Sequence, residues 1–263
     1  MVSRTTNPDR VHSNLVRADE ARGKSLERLA GGKKINKASD DPTGLAMAKT
    51  LESQTRGLIQ QIGIRQNEIS MLQTAEGALG SVNEMVQRIN ELAVQASNGT
   101  LTDADRSNIQ LEVDQLSAQI DQTVNNTVYN EQKLLDGSLQ LKLQGGQTFA
   151  QPAATASALG LGGLSLTSTP AAGQAIDQAA QALSSLNSQR SSIGAAVKGI
   201  SSQVSNLQNE LVNVTAAQSR IEDVDMAAEM INLSLNELQS KAAIKAFQIK
   251  DENRQTILTL LGD

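Results

Sequence analysis

Asp103, Asp105 and Ser107 stand at alternate positions, the oxygen-donor spacing that opens a calcium-binding loop. Such a loop also needs a turn glycine at its sixth position and a chelating glutamate at its twelfth. Asn108 and Asp114 occupy those places, so the cluster reads as the acidic first turn of a helix. Asp40-Asp41 are neighbours on a capping turn, where two carboxylates point apart, and no histidine or lysine constellation accompanies them. The single histidine, His12, falls in a thin N-terminal helical pattern. The run from Gly160 to Leu164 lacks the third glycine of a dinucleotide fingerprint and opens no helix, so it reads as a flexible turn. Asn98-Gly99-Thr100, Asn213-Val214-Thr215 and Asn232-Leu233-Ser234 match glycosylation sequons, a pattern short enough to arise by chance. No enzyme, metal site or cofactor is expected.

The chemistry therefore lies in helix faces. Leu72, Leu79, Val86 and Ala93 form one row seven residues apart, and Ala75, Val82, Ile89 and Ala96 form another. Side by side they make a seam that must be covered by partner helices. Asn98-Gly99 stops this helix, since both residue types tolerate a left-handed C-cap. Thr102 restarts the chain as an N-cap with Asp105 as a weak capping box. A second helix follows, carrying Ile109, Val113, Leu116, Ile120 and Val124, and folds back on the first. Farther on, Ala179, Leu186, Ile193, Ile200, Leu207, Val214 and Ile221 repeat at seven, flanked by Ile176, Leu183, Val197, Val204 and Leu211. This third long helix complements the central pair.

The ends are thinner. Val11, Leu15, Ala18, Arg22, Ser25 and Leu29 give residues 9–30 a narrow stripe, closed by Gly31-Gly32. After a polar linker, Asp41 caps a new helix with Pro42 at its first position, with a break near Gly57 or Gly63 allowed. The C-terminal tract repeats the thin pattern through Val224, Ala228, Ile231, Leu235, Leu238, Ala242 and Ile249, and ends beyond Leu260. Between the strong helices, Leu139, Leu141 and Leu143 alternate with polar residues before Gly145-Gly146, the signature of a β-hairpin. Residues 151–170 read as a loop with one short strand around Leu164 to Leu166. The fold class is mainly α, an elongated antiparallel long-helix bundle of coiled-coil type, with a small β-hairpin region (134–170) at its tip.

Composition agrees with bundle helices: Tyr129, Phe149 and Phe247 are the only aromatic residues, there is no tryptophan, and prolines occur at 8, 42, 152 and 170 alone. Cysteine is absent, which excludes disulfides and thiolate chemistry. The polar opening residues do not resemble a signal peptide, and no stretch is apolar enough to span a bilayer, so no membrane partner is expected. The net charge of −5 argues against nucleic acid. Residues 1–41 nonetheless hold nine Lys/Arg against six Asp/Glu, a solvated basic face.

The run from Gln87 to Arg106 resembles the most characteristic internal segment of bacterial flagellin. The blocks 24–47, 69–79, 129–137, 220–230 and 258–261 resemble that family too, in the family's order and over nearly the whole chain. The opening residues with Pro8 and His12, and the charged 250–255, depart from its pattern. The resemblance implies a short flagellin without variable outer domains. Residues 1–44 (including the 31–44 linker) and 222–263 would be its terminal filament-core domain, and 45–221 its bundle domain. It implies a self-polymerising, extracellular subunit of the flagellum for motility, exported without a cleaved signal peptide. A hook–filament junction protein of the same superfamily, or a non-polymerising coiled-coil adaptor, are the alternatives. The implied partners are further copies, the export apparatus and a chaperone, and hook-associated and cap proteins. Arg88, Leu92 and Glu112 match, in motif context, residues recognised by the animal Toll-like flagellin receptor. Val11, Leu15, Leu29, Leu235, Leu238, Ile249 and Leu260 would serve assembly by the terminal helices.

Overall fold

A computed structural model describes residues 8–142 and 148–260, except the side chains of 8–11, 250, 254 and 257–260. It divides into two units, one formed by residues 1–58 with 210–263 and the other by 59–209. The helices are α1 (Pro8–Gly31), α2 (Pro42–Ala96), α3 (Asp103–Asn126), α4 (Thr169–Glu222) and α5 (Met226–Leu260). Four short strands complete the order: β1 (Val128–Tyr129), β2 (Gln132–Lys133), β3 (Gln140–Lys142) and β4 (Thr148–Ala150).

In the first unit α1 packs against α5. Its fully buried residues are small or polar. Ala18 and Ser25 of α1 and Glu229 and Ser240 of α5 are buried. Ser240 Oγ donates to Asp19 Oδ1 at 3.1 Å, and Arg28 lies 3.8 Å from Glu229. Gly32 ends α1 in the left-handed region (φ 66°), which a residue with a Cβ would resist. The chain then pairs briefly with the stretch after α4: Lys34 N donates to Glu222 O at 2.6 Å and Val224 N to Gly32 O at 3.1 Å. Beside this bridge Lys33 Nζ meets the buried Glu222 carboxylate at 2.6 Å. Hydrogen bonds from Lys33 and Gln218 hold that carboxyl below the usual glutamate range, and the Lys33 ammonium is raised in turn.

The start of α2 follows from two residues. Asp41 Oδ1 accepts from Gly44 N at 2.9 Å, the N-cap bond, with Pro42 in the first turn where its missing N–H costs nothing. Gly44 is needed for space: a Cβ there would collide with the Asp41 carboxylate and sit 2.7 Å from Ile35 Cδ1. The helix then runs to Ala96 with no break at Gly57 or Gly63.

The second unit holds the main apolar core. Leu72, Ala75, Leu79, Val82, Val86, Ile89, Ala93 and Ala96 of α2 are fully buried, together with Val113, Ile120 and Val124 of α3. Leu186, Ile193, Ile200, Val204 and Leu207 of α4 are buried as well, and Val197 is partly buried against the same cluster.

The connecting segments depart from the sequence reading. β3 and β4 pair antiparallel, with Leu141 opposite Phe149, but Leu143 and the Gly145-Gly146 turn lie outside the described residues. A second hairpin, β1–β2, was not foreseen. Its turn residues Asn130 (φ 49°) and Glu131 (φ 67°) adopt the left-handed geometry that two-residue hairpins require, without the usual glycine. The expected strand around Leu164 to Leu166 does not form. Instead the Gln110 side chain takes its backbone bonds, donating to Leu164 O (2.8 Å) and accepting from Leu166 N (2.7 Å). Asp121 Oδ1 likewise accepts from Ala156 N at 2.7 Å. With these three backbone groups bonded, the loop buries Ala154, Ala156, Leu159, Leu161, Leu164 and Leu166. The run 160–164 does turn, with Gly160 (φ 76°) and Gly163 (φ 84°) left-handed and exposed, but Leu161 and Leu164 anchor it in the core.

Candidate assembly and recognition surfaces

Helix α5 meets α1 through the buried Glu229 and Ser240, with Leu233 half-buried on the same side. At 100° per residue, Ile231, Leu235, Leu238, Ala242 and Ile249 fall within about 40° of one line. Ser240 and Glu229, which face α1, lie on the opposite side. The apolar stripe is correspondingly open: Ile231 is 62% exposed, Leu235 50%, Leu238 62% and Ile249 51%. Leu15 and Leu29 of α1 are half-buried, whereas the side chains of Val11 and Leu260 lie outside the described residues. The stripe was legible in the sequence. That it points away from its own partner helix was not, because periodicity fixes a face but not its direction.

A second surface joins α2 to α3. Arg88 Nε and Nη2 donate to Glu112 Oε1 at 3.1 and 2.9 Å, and Nη1 donates to Glu91 Oε2 at 3.2 Å. The carboxylates raise the Arg88 pKa, Glu112 foremost. Leu92 does not share this exposed patch: it is 2% exposed and packed in the core. A spacing of four places two residues near each other on a helix, yet about 40° of rotation separates them. Here that rotation carries Leu92 inward.

Between α2 and α3 the chain is held by a residue that sequence reading passed over. Arg106, 6% exposed, donates from Nε to Ala96 O (3.1 Å), from Nη1 to Leu101 O (2.8 Å) and from Nη2 to Asn98 O (2.9 Å). Nη2 also reaches Thr169 Oγ1 at the start of α4, at 3.3 Å. The guanidinium therefore does the C-capping of α2 that a left-handed Asn98 or Gly99 was expected to do. Neither is among the residues with positive φ. The only hint in sequence was an arginine one turn into a helix that follows a helix stop. Thr102 and Asp105 form the capping box at the start of α3, and hydrogen bonds from Thr102 hold the Asp105 carboxyl low.

The other polar candidates take capping roles. Asp40 Oδ2 accepts from Asn36 N and Lys37 N at 3.2 and 3.1 Å, while Asp41 caps α2, so the two carboxylates diverge. Asp103 is exposed and 3.6 Å from Arg106. His12 is exposed on α1. Among the described residues no group of three His, Cys, Asp or Glu could hold a metal, and no helix is long and apolar enough to cross a membrane.

Long helices, a buried heptad seam and an outward apolar stripe define a structural protein whose working parts are helix faces. Residues 2–140 match the model of the bacterial flagellin N-terminal helical region, and residues 174–261 match that of the C-terminal helical region. The flagellin of Halalkalibacterium halodurans is 35% identical over 247 residues, covering 90% of this chain and 91% of that protein. The flagellin of Bacillus subtilis is 34% identical, with 96% of this chain and 95% of that one covered. A flagellar filament 31.3 kDa core protein of Treponema maltophilum is 32% identical, with 97% and 98% covered. The crystal structure of Bacillus cereus flagellin aligns with a TM-score of 0.45 at 28% identity, over 60% of this chain and 91% of that one. The chain belongs to the bacterial flagellin family. It is a structural subunit of the bacterial flagellar filament, which lies outside the cell.

Proposed function

We propose that copies of this chain join through their terminal segments, residues 1–44 and 222–263, while 45–221 serves as the stiff helical bundle. The observation that carries this reading is the α5 stripe, apolar and open on the side away from α1. An exposed apolar face of this kind marks a protein contact. A patch on one copy that fits a different patch on the next propagates without closing, as a filament requires. In this reading Leu15 and Leu29 tie α1 to α5, Leu235, Leu238 and Ile249 meet the neighbouring copy, and Val11 and Leu260 extend the contact at the ends. The protein works as structural material and not as an enzyme. It leaves the cell through the flagellar export apparatus without a cleaved signal peptide, with a chaperone covering the stripe beforehand, and meets hook-associated and cap proteins at the filament's ends.

The small, polar α1–α5 contact implies that the terminal helices are weakly held before assembly. Fixing a residue's backbone costs on the order of 1–2 kcal/mol, and burial of a few alanines and serines offsets little of it. Brief proteolysis of the free subunit is therefore expected to leave a core near residues 45–215 that no longer elongates seeds under the electron microscope. The same cuts are suppressed in filaments. Ends as resistant as the core in the free subunit overturn this part.

The Arg88–Glu112 pair favours a second role for the bundle. A half-exposed ion pair locked across two rigid helices is a pre-formed recognition feature, since little side-chain entropy remains to be lost on binding. We assign it to the animal Toll-like flagellin receptor, with Leu92 acting from beneath by fixing the helix position. Combining Arg88→Ala with Glu112→Ala is expected to reduce receptor signalling by about tenfold or more, the scale of losing one good polar contact. Undiminished signalling by the doubly substituted protein rejects the role.

A further inference from the structure

We infer that Asn98-Gly99-Thr100 is a self-modifying site, at which the folded turn promotes deamidation of Asn98 by the backbone nitrogen of Gly99. All three residues are exposed. Gly99 has open space where a Cβ would stand, and its N–H donates to no backbone carbonyl among the described residues. The reaction needs an unhindered amide next to the asparagine carboxamide, and glycine provides it.

The turn adds electrostatic help. Thr100 N and Thr100 Oγ1 both donate to Asn98 Oδ1, at 3.1 and 3.0 Å. When Gly99 N, its proton passing to solvent, bonds to Asn98 Cγ, the carbonyl electron pair moves onto Oδ1. The two Thr100 donors already point at that developing negative charge, as the donors of an oxyanion hole do. Collapse expels Nδ2, which takes a proton from solvent, as ammonia and leaves a five-membered imide. Water then opens the imide to an aspartyl or an isoaspartyl linkage at position 98. No oxidant, reductant or cofactor enters.

The same chain contains a view of the aspartyl product. Asp136-Gly137-Ser138 repeats the pattern with a carboxylate in place of the amide. Ser138 N and Oγ donate to Asp136 Oδ1 at 2.9 and 2.6 Å, although Gly137 is left-handed (φ 91°) and Gly99 is not. These two bonds, the hydroxyl's first, hold the Asp136 carboxyl below the usual aspartate range. A backbone-plus-hydroxyl donor pair of this kind therefore stabilises negative charge on the oxygen it holds. An aspartyl residue at 98 keeps the turn and its two Thr100 donors. An isoaspartyl residue lengthens the main chain by one carbon and displaces the Asn98 carbonyl that Arg106 holds.

The test is peptide mass spectrometry of the full-length folded protein aged in mildly alkaline buffer, with aspartyl and isoaspartyl products separated by chromatography. Asn130, equally in an exposed turn but followed by Glu131, is the internal reference. Asn98 is expected to convert at least roughly tenfold faster than Asn130, and Gly99→Ala to remove that advantage. Thr100→Val is expected to slow conversion about tenfold, less than an enzyme loses with a buried oxyanion donor because this site is wet. Thr100→Ser restores the rate. In urea, where the turn is gone, parent and Thr100→Val convert alike. Conversion at Asn98 no faster than at Asn130, an unchanged rate in folded Thr100→Val, or a Thr100→Val effect that persists in urea each overturns the proposal.

Discussion

Replacing Arg106 with alanine is expected to destabilise the protein by about 3 kcal/mol. For a unit of this size that lowers the melting temperature by roughly 6–12 °C. The guanidinium supplies three bonds to carbonyls around the end of α2 and one to Thr169. Hydrogen bonds from a charged donor are each worth about 1.5–3 kcal/mol, but the cost of keeping a guanidinium out of water offsets part of the sum. Water can reach Asn98 O and Leu101 O in the variant, which limits the loss further. The Asp103 contact adds little, because its carboxylate is solvated and 3.6 Å away. Lysine at 106 recovers little of the stability. A single ammonium cannot span the carbonyls of residues 96, 98 and 101, which the planar fork reaches together. Thermal melts of the two variants followed by circular dichroism decide it. An Arg106→Ala melt indistinguishable from the parent's removes Arg106 from its place as the joint of α2, α3 and α4.

This joint marks where sequence reading ran out. Periodicity located the residues that proved fully buried on α2, from Leu72 to Ala96, because a row spaced at seven has one energetically acceptable direction when several helices surround it. Caps were legible for a similar reason: Asp41 with Pro42, and Thr102 with Asp105, bond within four residues of themselves. Arg106 bonds backward to groups up to ten residues away and across to Thr169, so nothing local announced it. The burial of the loop 151–168 was hidden for the same reason. Three of its backbone groups bond to Gln110 and Asp121, side chains on a helix that composition alone cannot bring to it. The recognition of a flagellin rested on separated motifs in order, and the family models cover those same tracts.

The direction of the α5 stripe has the largest functional consequence. Leu235→Glu combined with Leu238→Glu is expected to abolish filament growth at concentrations where the parent polymerises. The free subunit should keep its melting temperature and helix content. Both leucines are at least half exposed and stand opposite the side of α5 that meets α1, so the subunit loses little by their replacement. At a contact between copies the account differs. About half of each leucine is left to bury, so each contributes about 1–2 kcal/mol and their loss weakens one subunit contact by about 2–3 kcal/mol. That is roughly twentyfold to two-hundredfold in association at every contact along the filament. Glutamates brought against a neighbour must also be desolvated without a partner. Seeded growth measured by light scattering, with the products imaged by electron microscopy, reads the effect. Substitution on the other side of the helix should behave in the opposite way. Ser240→Leu overfills the face that meets α1 and lowers the stability of the α1–α5 pair, typically by about 1–3 kcal/mol. Normal filaments from the Leu235→Glu, Leu238→Glu protein at the parent's threshold concentration sink the assignment of this stripe to assembly.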